Sequence, residues 1–235
     1  MIPLPDSRLS TAAQLIAPCE AIADIGADHG KLSLFLLYTK KCRHVYVTDI
    51  SRKSLNKAQA LFARNHFDDK ASFICDDGLN ALRNAAVQAV VICGMGGKKI
   101  SEILQNGERF LNKASLILSP QTDAGFLRET ICSISYRIDE EILVVSQKRF
   151  YTVLRCVYTD DVKVPLTPKE LTLGSFALKN TDPLTLSYLL WRKDVEKCRI
   201  AEPNNNQVLF WIDEEINRIR CAALSSTLQN GCERV

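Results

Sequence analysis

The chain of 235 residues predicts an open α/β fold: a mainly parallel sheet covered by helices on both faces, ending in an antiparallel edge hairpin and followed by a small all-helical extension. Three observations carry this. Apolar runs alternate with helical patterns five times between Ala21 and residue 134. The rhythm then changes to two strand-like runs, 136–146 and 150–158, separated only by Gln147-Lys148-Arg149. Beyond Lys163 to Pro168, only helical periodicity follows.

The elements follow in order. Asp6 or Ser7 caps a helix over 7–17 whose Leu9, Ala12, Ala13 and Ile16 share one face, suited to packing on the edge of the sheet. Strands are expected at 21–25, 43–48, 71–75, 88–93 and 114–118, with helices near 31–39, 52–65, 79–85, 97–106 and 123–134. Val, Ile and Ala fill these strands, as they do in parallel sheets buried on both faces. Three linking residues are too few for a parallel crossover, so 136–146 and 150–158 form an antiparallel hairpin at the edge. Seven strands ending this way is the chain order of Rossmann-like class I methyltransferases, and not the usual ending of NAD-binding folds.

Thr167-Pro168-Lys169-Glu170 is a capping box with Pro at the first helical position, so a helix starts there. A second helix begins at Asp182-Pro183 and a third follows Pro203-Asn204-Asn205-Asn206. Leu184, Tyr188, Trp191, Val195 and Cys198 make a seam on the second; Leu209, Ile212, Ile216, Ile219 and Ala223 make one on the third. Such seams predict a coiled-coil-like helical hairpin. The expected division is a catalytic domain over 1–162 and a helical domain over 163–235.

Composition narrows the class. With 46% hydrophobic and 24% charged residues the chain is neither disordered nor fibrous. No apolar run approaches the roughly 20 residues that span a bilayer, and Asp6 and Arg8 follow a Pro-rich start unlike a signal peptide, so no membrane association and a cytoplasmic location are expected. The nine cysteines are odd in number and include no C-x-x-C pair, which fits reduced thiols and no metal framework. A net charge of +3 permits an acidic partner without requiring one.

In such folds ligands sit outside the carboxyl ends of the parallel strands. The first apolar run breaks into Asp24-Ile25-Gly26-Ala27-Asp28-His29-Gly30, and Asp49 stands 25 positions after Asp24. A dinucleotide fingerprint clears this turn so that backbone N–H groups meet a pyrophosphate. Here Asp28 occupies the cradle and Lys31 stands where the third Gly belongs. A carboxylate there repels pyrophosphate and suits a cationic, phosphate-free ligand such as S-adenosylmethionine; the plain alternative is the Gly turn of any α/β domain.

Cofactor contacts are therefore expected from Asp24 and Gly26, from Asp49 and Ile50, from Asp76, Asp77 and Gly78, and from Gly94, Met95 and Gly96. Asp49 is placed for ribose hydroxyls or, alternatively, for capping the next helix, which Ser51 could do as well. Asp77 with Gly78 either bonds an adenine edge or forms an Asx turn. Gly94-Met95-Gly96-Gly97 either lets backbone approach a ligand or starts a helix. No D/N-P-P-Y/F tetrapeptide follows the fourth strand, so the target needs no help in orienting an exocyclic amine. A ring nitrogen with a free lone pair, such as adenine N1, fits.

These residues resemble one family, the bacterial TrmK-type tRNA (adenine(22)-N1)-methyltransferases. The resemblance rests on Arg8-Leu9, Ala23-Asp24-Ile25-Gly26-Ala27-Asp28-His29, Gly94-Met95-Gly96-Gly97, Leu116 to Thr122, and Lys148-Arg149-Phe150-Tyr151. It implies S-adenosylmethionine as donor, held at Asp24, Gly26, Asp49, Asp77 and Gly94, and tRNA as acceptor. The chain departs from the family pattern at Gly30-Lys31-Leu32-Ser33, where Ala-Tyr-Leu-Pro is usual, at Ser119, where Gln is usual, and in its short helical tail.

On this reading Asp28 stabilises the cationic product, His29 orients it or relays a proton, and Tyr151 stacks on the extruded base. Arg8, Lys31, Lys98, Lys99, Lys148 and Arg149 are the expected phosphate contacts of a monomer or weak dimer. The rivals are a methyltransferase of the same fold acting on a small molecule or protein, an NAD-dependent oxidoreductase, and a silent RNA-binding protein.

Overall fold

The structure, a computed structural model, describes residues 6–161, 165–199 and 205–232. The expected boundary at Lys163 and the Pro203-Asn204 lead into the third tail helix lie outside them. The chain divides into two compact units, Met1–Pro165 and Leu166–Val235.

The first unit runs α1 (Ser7–Leu15), β1 (Cys19–Ile25), α2 (Lys31–Tyr38), β2 (Cys42–Asp49), α3 (Arg52–Arg64), β3 (Ala71–Cys75), β4 (Ala89–Cys93), α4 (Gly97–Gly107), β5 (Ser115–Ser119), α5 (Ala124–Ser133), β6 (Tyr136–Ser146) and β7 (Arg149–Tyr158). The strands form one sheet in the order β3-β2-β1-β4-β5-β7-β6, with β7 antiparallel to both neighbours. Chain order reverses between β1 and β4, which pair in parallel from Ile22↔Ala89 to Ile25↔Ile92, and this reversal is the switch point where such sheets place ligands.

Alternation along the strands builds two cores. Ala23, Ile25, Val90, Ile92, Leu116 and Leu118 face α4 and α5, whereas Ile22, Val45, Val47, Val91 and Ile117 face α1, α2 and α3. Beneath α5, Arg128 and Glu141 form a buried ion pair of 2.7 Å. The Asp6 carboxylate accepts from the Leu9 N–H and starts α1, and the Ser7 hydroxyl donates to the Val145 carbonyl, fastening α1 to the hairpin. α1 ends at Leu15, short of residue 17, because Pro18 disfavours helical backbone in the residue before it.

Two further expectations in this unit need correction. The segment expected as a helix over 79–85 is a 3-10 turn at Gly78–Leu82, closed by Asn80 N–H to Asp77 carbonyl and Arg83 N–H to Asn80 carbonyl bonds. It has no side-chain cap, and its bonds span three residues, not the four an α-helix requires. The hairpin link is two residues long: Gln147 and Lys148 both have positive φ, 50° and 62°, as a type I′ turn requires, and Arg149 already pairs with Ser146.

The second unit contains α6 (Pro168–Leu173), α7 (Ser175–Lys179), α8 (Pro183–Cys198) and α9 (Asn205–Cys232). Thr167 and Glu170 complete the capping box, and Asp182 caps α8 through the Thr185 N–H. Gly174, with φ of 89°, breaks the first tail helix into α6 and α7.

α8 packs on α9, and Ile212, Ile216 and Ile219 of the expected α9 seam are buried while Ala223 is exposed. On α8 the buried face differs from the expected one. It runs through Thr185, Tyr188, Leu189 and Glu196, while Leu184, Trp191 and Cys198 are exposed. A polar member, Glu196 with Arg192 at 2.7 Å, belongs to that face, and apolar spacing alone passes over it.

Candidate functional site

The turn after β1 is built from its own hydrogen bonds. Ala27 N–H donates to the Thr48 carbonyl at 2.9 Å, Asp28 N–H to Asp49 Oδ2 at 3.1 Å and Gly30 N–H to the Ala27 carbonyl at 2.8 Å. Gly26 and Gly30 take left-handed backbone, φ 68° and 66°, and so does Asp28 at 49°, a residue that tolerates it. The other Asp49 oxygen accepts the Ser51 N–H at 2.8 Å, while Ser51 Oγ caps α3 through the Ser54 N–H. Asp49 thus braces two turns, and capping is left to Ser51. Ile50 beside it is 73% exposed.

A cavity of about 380 Å³ opens over the switch point, within the range of small-ligand sites. The β1 turn contributes Asp24, Gly26, Asp28 and His29, α2 contributes Lys31, and the turn after β4 contributes Gly94 and Met95. Arg8 of α1 and Gln121 complete its wall. The Met95 thioether lies over Gly26: a Cβ there would come within 2.0 Å of Met95 Cε.

Three other glycines also work by lacking a side chain. Gly94 takes φ of 88°, Gly96 leads into α4 with only 3.0 Å between a would-be Cβ and Thr122 Oγ1, and a Cβ on Gly97 would meet the Asp123 carbonyl oxygen at 2.3 Å.

Asp24 is buried at the floor of this cavity and accepts a 2.6 Å hydrogen bond from Ser33 Oγ. Burial raises its pKa to about 6, opposed by the Ser33 hydroxyl and reinforced by the negative charge of Asp49. The Cys93 thiol nearby is pushed up to about 12, first by burial and then by Asp24, so it remains a neutral thiol.

At the mouth, the Asp28 carboxylate is 69% exposed, 3.5 Å from His29 Nδ1 and 3.4 Å from Ser54 Oγ. Lys57 Nζ lies 3.1 Å from His29 Nε2. An ammonium group has no lone pair, so Nε2 accepts and the ring proton sits on Nδ1, directed towards Asp28.

The remaining expected residues lie elsewhere. Asp77, Gly78 and Lys99 line a separate cavity of about 90 Å³ against α4, and Asp76 is exposed with its Oδ1 accepting the Asp77 N–H. Lys98 is 4.0 Å from Asp123, Lys99 is 3.2 Å from Glu102, and Lys148 and Arg149 are exposed at the hairpin turn. Arg8 lies with its guanidinium carbon 5.4 Å from the centre of the Tyr151 ring, so that face of the ring is already covered.

Sequence reasoning missed Ser33 and Lys57. Ser33 had a signal, a single hydroxyl inside the apolar run Leu32 to Leu37. Lys57 had none, being one of several polar residues on α3.

Among the described residues no group of His, Cys, Asp and Glu side chains could hold a metal ion, and no helix is long and apolar enough to cross a membrane.

Comparison with known proteins gives a consistent set. Residues 5–154 match the family model described as a methyltransferase domain. The tRNA (adenine(22)-N(1))-methyltransferase of Bacillus subtilis is 28% identical over 148 residues, which are 63% of this chain and 62% of that enzyme, so the match spans less than two thirds of the relative. A Mycoplasma pneumoniae protein, provisionally described as a tRNA methyltransferase, is 32% identical over 179 residues, 74% of this chain and 82% of its own. The solved structure of M. capricolum TrmK in complex with S-adenosyl-homocysteine superposes with a TM-score of 0.75 at 28% identity, over 94% of this chain and 98% of that one.

Proposed function

This chain belongs to the methyltransferase-domain family, and on that premise we propose that it transfers a methyl group from S-adenosylmethionine to the N1 atom of an adenine in tRNA. The observation that carries the choice of donor is the occupied turn after β1. Three of its N–H groups are bonded within the protein, to Thr48, Asp49 and Ala27, and the carboxylates of Asp24 and Asp28 line the cavity beside them. Such a wall favours a cationic ligand without phosphates.

The residues present fit this donor. Gly26 and Gly94 leave space for close approach, Asp24 offers a buried acceptor, and a buried Arg8 nitrogen without a partner faces the same cavity. Asp49 and the exposed Ile50 would hold the nucleoside, Asp49 accepting from its hydroxyls and Ile50 offering an apolar surface. When bound, S-adenosylmethionine supplies an electrophilic methyl group on a sulfonium.

The protein's part is positioning and charge. Adenine N1 carries a free lone pair, so attack requires no proton to be removed first, and no covalent enzyme adduct is needed. Methylation leaves the adenine cationic. Asp28, held by His29 whose tautomer Lys57 sets, is the carboxylate that stabilises this charge until a proton leaves N6. The exposed cations Lys31, Lys98, Lys99, Lys148 and Arg149 would meet tRNA phosphates, with a salt-dependent affinity. A cytoplasmic enzyme acting as a monomer or weak dimer is part of the same reading.

The test is incubation with unmodified tRNA and labelled donor, followed by mapping of the modified nucleotide. Label on an adenine N1 is the expected result. Transfer to a small molecule or protein instead, or calorimetric binding of NAD in place of S-adenosylhomocysteine, overturns the reading.

A further inference from the structure

The turn after β5 fixes its backbone and leaves two side chains exposed. Ser119, at the strand end, is buried and gives its hydroxyl to the Thr152 carbonyl at 3.1 Å, and Pro120 has no N–H to offer. Gln121 N–H donates to the Met95 carbonyl at 2.8 Å and Gly94 N–H to the Ser119 carbonyl at 3.2 Å, so the turns after β4 and β5 are tied together. On this backbone the Gln121 side chain is exposed and lines the cavity over the switch point, with Nε2 3.9 Å from the point that a Gly94 Cβ would occupy. It is the first polar side chain after β5 to face that space.

Phe126, in the first turn of α5, is 45% exposed. Helical side chains lean towards the N-terminus of their helix, which directs this ring towards the turn that carries Gln121. An exposed aromatic ring beside a ligand crevice is a stacking surface for a base. Tyr151, the aromatic expected in that role, has the Arg8 guanidinium over its ring. Lys98, 4.0 Å from Asp123 at the start of α5, places a cation beside the same turn.

Sheet order separates the two reactants. The strands run β2-β1-β4-β5 with neighbours about 5 Å apart, so Asp49 and Gln121 stand at opposite ends of the row, roughly 15 Å from each other. A donor whose nucleoside is held at Asp49 extends its methyl group inward from there. The acceptor then enters from the β5 side.

We propose that Gln121 and Phe126 receive the target base: Phe126 stacks on the extruded adenine, and the Gln121 amide reads its N6 and N7 edge, the carbonyl accepting from N6–H and the amide N–H donating to N7. This rests on the adenine-N1 reading above and names the residues that choose the base. A glutamine matches that edge of adenine in two bonds, whereas guanine presents acceptors at both positions. The pairing leaves N1 open to the methyl group. It also takes the N6 hydrogen on the N7 side, so the hydrogen on the N1 side is the one that departs towards Asp28.

The test uses the full chain and a tRNA transcript that the wild-type protein methylates, made either with adenosine or with 7-deazaadenosine, which lacks the N7 acceptor. The wild-type preference for the adenosine transcript, read as kcat/KM, should exceed that of Gln121→Ala by on the order of tenfold, the worth of a base-edge contact. Comparing the two preferences cancels any effect of the analogue on N1 basicity or tRNA folding. Phe126→Ala should raise the KM for tRNA roughly fivefold to tenfold and Phe126→Tyr should restore it, as stacking requires. Affinity for S-adenosylhomocysteine should stay within about twofold in all three variants.

Equal preferences in the wild-type protein and Gln121→Ala overturn the proposal. So does an unchanged KM in Phe126→Ala, or a loss of donor affinity in either variant with its circular dichroism intact, which would assign the residue to the donor. Should Phe126→Ala fail to fold, the comparison of preferences decides alone. If the wild-type protein methylates no adenine N1, that reading falls and this one with it. Methylation of adenine N1 with equal preferences removes only the base-reading site.

Discussion

The Ser33 hydroxyl donates to the Asp24 carboxylate at 2.6 Å, across nine residues of chain, at the buried floor of the cavity. One hydrogen bond does not offset the cost of ionising a carboxyl there, and burial leaves its pKa at about 6 against an ordinary 3.8. A raised folded-state value means that the stability tied to this group is fully present below pH 3.8 and is lost as pH rises through about 6. The loss amounts to roughly 3 kcal/mol. Asp24→Asn keeps an acceptor for Ser33 and cannot ionise. Its melting temperature should therefore pull ahead of the wild-type protein's between pH 4 and 7, with the gap constant above that range. Melting curves that run parallel across these pH values would contradict the assignment.

Gly97 and Gly96 separate backbone crowding from side-chain crowding. A Cβ on Gly97 would lie 2.3 Å from the Asp123 carbonyl oxygen, and the Gly97 N–H donates to the Thr122 carbonyl, so nothing there can rotate away. Gly97→Ala should cost about 2 to 3 kcal/mol in urea unfolding. At Gly96 the nearest atom is the Thr122 hydroxyl at 3.0 Å, which moves with one side-chain rotation, and Gly96→Ala should cost under about 1 kcal/mol. Equal costs would mean that the turn after β5 is softer than its hydrogen bonds indicate.

Asp28 is far more exposed than Asp24, and its proposed work lies in turnover, not in holding the donor. Asp28→Asn should lower kcat by about tenfold or more, as loss of one electrostatic stabiliser does, and leave affinity for S-adenosylhomocysteine nearly unchanged. Single-turnover kinetics with saturating tRNA measure the first and calorimetry the second. Undiminished turnover would remove Asp28 from the reaction.

The parallel strands were legible because strands buried on both faces read as unbroken apolar runs: Ala89 to Cys93 and Ser115 to Ser119 fall where Val, Ile and Leu cluster. Asp24, Gly26, Asp28 and Gly94 were legible because strand ends mark the ligand crevice of such a sheet. The position of Arg8 was not, since a cation in the first turn of α1 looks the same in sequence whether it meets solvent or an aromatic ring in β7. The α8 face was misread for a related reason: Glu196 is buried there against Arg192, a pairing that spacing rules for apolar residues do not register.

The pair Arg128 and Glu141 joins α5 to β6 with both side chains all but removed from water. Truncating one partner strands the other charge, so Arg128→Met should destabilise by about 3 to 5 kcal/mol. Donor affinity per folded molecule should be unaffected, because neither residue lines the cavity over the switch point. Denaturant unfolding alongside calorimetry distinguishes this from a variant that damages the site.

Tyr151 admits two roles that a double-mutant cycle tells apart. If it holds Arg8 in place, Tyr151→Leu should weaken S-adenosylhomocysteine binding by roughly threefold to tenfold, the worth of a partly desolvated cation–π contact. The same change made in Arg8→Ala should then have almost no effect on donor affinity, since the group it supports is gone. If instead Tyr151 stacks on the extruded adenine, donor affinity should be unchanged in both backgrounds and the KM for tRNA should rise in both. The guanidinium already lies over the ring, and Tyr151 is half-buried against the core that α1 helps to build. Strong coupling between the two substitutions is therefore the expected outcome.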